Sequence, residues 1–152
     1  MNTARILCTL ALVALVTTLV PHAQAADSAR LQAILITASN ESSSKRDARL
    51  APYEARLRSL LRFESFTFQG SDADTLAAGA RTTLVIGQGH ELDLTAAADS
   101  AHKLRVRWAD KIGGRTLMDT GLKLNPGVPA IIGGMPTGRK PGEVYAVILV
   151  AR

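Results

Sequence analysis

Lys103-Leu104-Arg105-Val106-Arg107-Trp108 alternates without a break between cationic and apolar side chains. Successive side chains of an extended chain point to opposite faces, so Lys103, Arg105 and Arg107 take one face of a strand. Leu104, Val106 and Trp108 take the other. This is the pattern of an antiparallel strand with one solvated and one buried face, and its neighbours on both sides repeat the period.

Downstream, Gly113-Gly114 turns the chain into a strand over 115–124, where Gly121 is a candidate bulge. Asn125-Pro126-Gly127 places Pro and Gly as a type II turn prefers. A short apolar strand over 128–132 ends at Gly133-Gly134, and 135–142 is a Gly/Pro-rich basic loop. Residues 144–151, VYAVILVA, are apolar at every position and read as a strand buried on both faces. Upstream, strands over 81–86 and 91–95 form a hairpin across Gly87-Gln88-Gly89. Residues 70–79 read as a polar connection carrying Asp72 and Asp74. Phe66 and Phe68 share a face of a further strand.

An amphipathic helix is predicted over about 50–62, with Pro52 in its first turn, where a missing N–H costs nothing. Leu50, Tyr53, Leu57, Leu60 and Leu61 form its apolar stripe. Residues 39–47 are a loop by composition, and 31–38, LQAILITA, is a second strand apolar on both faces. Two such strands, at the start and the end of the domain, belong side by side in the middle of one sheet. The expected fold is α+β or mainly β: an antiparallel sheet or β-sandwich of about seven to eight short strands with one amphipathic helix near the N-terminus.

The first 25 residues have another character. Arg5 supplies a positive n-region, residues 6–20 form an apolar h-region, Pro21 ends it, and Ala23-Gln24-Ala25 is an A-x-A cleavage site. The run is shorter than the roughly 20 residues a membrane-spanning helix needs. The expectation is therefore a signal peptide over 1–25, cleaved after Ala25, followed by one domain over 26–152. Contact with the membrane is expected only through the signal before cleavage, and the mature chain is expected in the periplasm or outside the cell.

Cleavage changes the composition that carries chemistry. Of 152 residues 127 remain, enough for one domain with a core of its own. Cys8 is the only cysteine and leaves with the signal, which excludes a disulfide, a thiolate metal site and a cysteine nucleophile. Arg5 leaves too, so 17 basic residues face 13 acidic ones, a modest net charge of +4.

The cationic face of Lys103, Arg105 and Arg107, with Arg139 and Lys140 in the basic loop, forms the candidate anion-binding set. Glu91 and Asp93 share a face of the preceding strand and are expected to pair with Arg105 and Arg107. Aromatic side chains for stacking on bases are missing from that face, which argues against nucleic acid. His90 and His102 are the histidines left for acid–base work, with Asp99 and Ser100 nearby in sequence. No G-x-S-x-G, H-E-x-x-H or phosphate loop holds them. No catalytic residue, cofactor or metal is expected, and of the acids only Asp72 and Asp74 approach calcium-loop spacing.

Residues 120–134, a strand, a Pro-Gly turn and a strand ending in Ile-Gly-Gly, resemble a hairpin in the core domain of secretins, the outer-membrane rings of bacterial secretion systems. The order of strand, amphipathic helix, Phe63-Glu64-Ser65-Phe66 and β meander resembles a family of short, uncharacterised exported bacterial β-rich proteins. These resemblances imply an accessory piece of the cell envelope and bring no catalytic residues with them.

The expected function is a non-enzymatic module that binds or assembles with envelope proteins around a secretion apparatus. The alternative is a small exported hydrolase or ligand-binding domain using His90 and His102. A third reading is binding of anionic polymer through Lys103, Arg105 and Arg107.

Overall fold

The computed structural model describes residues 27–42 and 46–152. The expected signal peptide, with cleavage after Ala25, lies outside the described residues. Eight strands build two four-stranded antiparallel sheets among the described residues. The KLRVRW stretch lies in β5 (Ser100–Asp110), whose Leu104, Val106 and Trp108 are buried while Lys103, Arg105 and Arg107 face solvent. It sits inside a simple meander of β3 (Arg81–Gly87), β4 (His90–Ala97), β5 and β6 (Arg115–Lys123).

The second sheet has the order β2-β1-β8-β7, formed by β1 (Ser28–Ser39), β2 (Ser65–Ala77), β7 (Ala130–Pro136) and β8 (Val144–Ala151). The two strands that are apolar on both faces are indeed central neighbours, paired from Leu31 opposite Ala151 to Ala38 opposite Val144. Each of their faces has its own core. Leu31, Ala33, Leu35, Tyr145, Val147 and Leu149 meet the first sheet, where Trp108 and Leu92 are packed. Ile34, Ile36, Ala146, Ile148 and Val150 face the opposite way, onto Leu50, Tyr53 and Leu57.

Those last three residues come from a 3-10 turn over Ala48–Tyr53 that continues into α1 (Glu54–Leu61). The predicted single helix over 50–62 is thus a tighter turn followed by an eight-residue α-helix. The N-cap of the turn is Asp47, whose carboxylate accepts from the backbone N–H of Arg49. Leu57 is fully buried, worth about 1.5–3 kcal/mol of burial, but Leu60 is 55% exposed. The α-helix is only two turns long and inclines Leu57 and Leu61 to the sheet, so Leu60 falls beside the stripe.

Three further expectations are corrected. The polar residues 70–77 belong to β2, which pairs with β1 along its whole length through a bulge at Leu35/Ile36. Their polarity has a local cause: the carboxylate of Asp72 accepts the backbone N–H of Val85 at 2.9 Å, and that of Asp74 accepts the hydroxyl of Thr82. These carboxylates fasten β2 to the rim of β3, so the alternate spacing of Asp72 and Asp74 serves strand contact. Gly70 allows the approach, because a Cβ there would strike the carbonyl of Ile86. Gly121 pairs regularly with Arg105, and the irregularity of β6 lies between Trp108 and Ala109 of its partner instead. Finally, 120–134 is no hairpin. β6 pairs with β5 and β7 with β8, so the Asn125-Pro126-Gly127 turn carries the chain from one sheet to the other. The turn itself closes as read, with Val128 N–H donating to the Asn125 carbonyl at 3.0 Å.

Candidate functional site

The cationic face of β5 is largely neutralised, though not by the partners expected. Arg105 makes a two-pronged bond to Asp119 on β6, both contacts at 2.9 Å. Lys103 pairs with Asp99 at 2.6 Å, and Arg107 donates both Nε–H and an Nη–H to the hydroxyl of Thr116. Glu91 pairs instead with Lys111 at 3.1 Å and Asp93 with Arg81 at 3.3 Å. The meander register explains the exchange: Asp93 lies opposite Arg107, but Thr83 and Arg81 reach it from β3. The Arg105 guanidinium holds the Asp119 carboxyl below the usual carboxylate range, so this pair is ionised at neutral pH. The two loop cations are not added to the ridge. Lys140 bonds Glu41 at 2.9 Å, and Arg139 lies at one end of the sandwich. The structure therefore separates the five candidate anion-binding residues into a screened ridge and a distinct end.

The two histidines are separated as well. His90 opens β4 and stands opposite Asp110 at the end of β5, while His102 lies near the start of β5. Eight residue steps of strand separate Asp110 from His102, about 26 Å. Ser100 accepts the backbone N–H of His102 rather than its ring, and Asp99 is engaged by Lys103, so no relay assembles there. The Nδ1 atom of His102 is buried without a hydrogen-bond partner. Among the described residues no group of three or more His, Cys, Asp or Glu side chains can hold a metal ion.

His90 is the better-built of the two. It shares the inward face of β4 with Leu92, Leu94 and Ala96, and only 4% of its surface is exposed. Trp108 Nε1–H donates to His90 Nδ1 at 3.0 Å, and the ring of Tyr145 lies 4.5 Å from the imidazole centroid. An indole nitrogen only donates, so Nδ1 must carry a lone pair and the ring must be the neutral tautomer with its hydrogen on Nε2. Burial pushes the His90 pKa below the ordinary value of 6.5. Asp110 opposes that shift and Arg139 adds to it.

This ring lines a cleft of about 150 Å³ where the two sheets part at one end of the sandwich. Gln88, Asp110, Arg115 and Arg139 supply its polar rim; Ile112, Leu117, Pro136 and Tyr145 supply apolar wall. Asp110 accepts the backbone N–H of Gly113 at 2.8 Å, which with nearby charges keeps its carboxyl below the usual range. Sequence reading names His90 and Arg139 but does not join them, because they meet through β8 and the 137–142 loop. The signal that was available is parity: His90, Leu92 and Leu94 recur every second residue, which turns the ring inward.

No family model, curated protein or solved structure matches this chain. The fold defines a class, a two-sheet antiparallel sandwich with a helix packed on one outer face.

Proposed function

We propose that this domain is an exported, non-enzymatic module of the bacterial cell envelope that binds or assembles with a protein partner through its open sheet edges. One observation supports this most. The sandwich is fastened along one side, where Asp72 and Asp74 of β2 cap β3, and is unfastened along the other. There β6 and β7 are the outer strands of their sheets, and no ladder joins them. A bare strand edge is a template for pairing with another chain.

The two open edges differ. β7 carries Gly133, Gly134, a bulge and Pro136, features that discourage pairing. β6 is nine residues long, free of proline and without a fully buried side chain. We assign the partner-binding edge to β6. Export itself rests on the signal pattern of residues 1–25.

The mature chain has no cysteine, so single cysteines report position cleanly. Gly121→Cys on β6 and Ala73→Cys on β2 are both tolerable sites for a cross-linker in cells. A discrete cross-linked product from Gly121→Cys and none from Ala73→Cys supports the assignment. Equal products from both, or none from Gly121→Cys, removes it.

A further inference from the structure

We propose that the end cleft floored by His90 is a binding site for a small carboxylate, whether a free acid or the chain end of a peptide. The hydrogen-bond directions lead there. Trp108 donates to Nδ1, so the ring presents Nε2–H, and no acceptor among the described residues takes it up. That N–H opens onto the cleft, where an oxygen from outside the chain can accept it.

The rim has the same bias. Asp110 is occupied by the Gly113 N–H and faces Arg115 Nε at 3.9 Å. Arg139 has no carboxylate within ion-pair distance among the described residues. Its guanidinium donates one hydrogen bond, to Gln88 Oε1 at 3.2 Å, which leaves the rest of the fork for a ligand. Two arginines against one aspartate leave an excess of one positive charge, matched by a single anionic group. The volume of about 150 Å³ and the apolar wall of Ile112, Leu117 and Tyr145 suit a carboxylate on a short apolar stem. The site takes only Arg115 and Leu117 from the start of β6, and carboxylate binding is read on the isolated domain, so its failure is distinguishable from failure of the assembly role.

The test uses the mature domain and reads two signals, the emission of its single tryptophan and the ¹⁵N shifts of His90. Acetate and N-acetylalanine are titrated as the free acid and the chain-end mimic, with inorganic phosphate and chloride beside them. The expected result is a saturable change in both signals with a carboxylate, weakened about tenfold or more in Arg139→Gln. Arg105→Gln, which alters a cation elsewhere, should leave the affinity unchanged. Tighter N-acetylalanine than acetate identifies a peptide chain end as the source, and the reverse a free acid. No saturable change with either carboxylate, binding of phosphate alone, or equal affinity in wild type and Arg139→Gln would each overturn the proposal.

Discussion

Inside the sandwich the indole of Trp108 donates a 3.0 Å hydrogen bond to Nδ1 of His90, and this contact sets the charge and tautomer of the imidazole. It joins β5 to β4 beside the Leu92–Trp108 pair and ties the core to the cleft floored by His90.

Removing the donor should therefore cost more than lost area. Trp108→Phe keeps an aromatic ring but leaves Nδ1 buried and unpaired. The expected loss is about 1–3 kcal/mol for the unsatisfied acceptor, in addition to a packing term. Urea denaturation followed by circular dichroism measures it; an unchanged midpoint would show that the bond carries no stability.

Burial of the same ring predicts a pH dependence, and its sign follows from linkage. The folded pKa of His90 lies below the ordinary 6.5, so as pH falls the unfolded chain takes up the proton first. The His90 contribution is thus complete above the unfolded value and is lost as pH drops from 6.5 toward the lower folded pKa. Denaturation midpoints should fall over that window, with a smaller fall in His90→Gln. Equal pH dependence in both proteins would assign the effect to other groups.

Gly70 is the narrowest point between β2 and β3. A methyl group there meets the Ile86 carbonyl, a backbone atom that has no rotamer to yield. Gly70→Ala should destabilise the domain by about 1–3 kcal/mol, the range for forced overpacking. Gly121→Ala, where no atom lies within 4 Å of the added carbon, is the matched control. Similar melting temperatures for the two variants would contradict the close approach.

The ridge on β5 should behave as a screened surface. Asp119→Asn removes the partner of Arg105 from an exposed, solvent-screened pair, so the denaturation midpoint should hardly move. Retention on a polyanion column at low salt should rise, because Arg105 is released. Unchanged retention would mean that Asp119 does not restrain the ridge.

Much of this architecture was legible from period and composition. KLRVRW declares a half-buried strand, and the apolar runs at 31–38 and 144–151 require a cover on both faces. What composition could not show was β2: Ser71, Asp72 and Asp74 look like loop residues because their side chains serve the neighbouring strand's backbone. The Asn-Pro-Gly turn was readable, but a turn does not say whether its flanking strands pair, and here they enter different sheets. The site was legible residue by residue and not as a set. His90 and Arg139 are 49 positions apart, and their common cleft exists only once β8 lies between the sheets' ends.

The role assigned to β6 is most directly tested by hydrogen exchange on the cross-linked complex against the free domain. The backbone amides of Arg115–Lys123 should gain protection on assembly, while those of β2 and β3 should not change. Protection confined to other strands, or none anywhere, would contradict assembly through this edge.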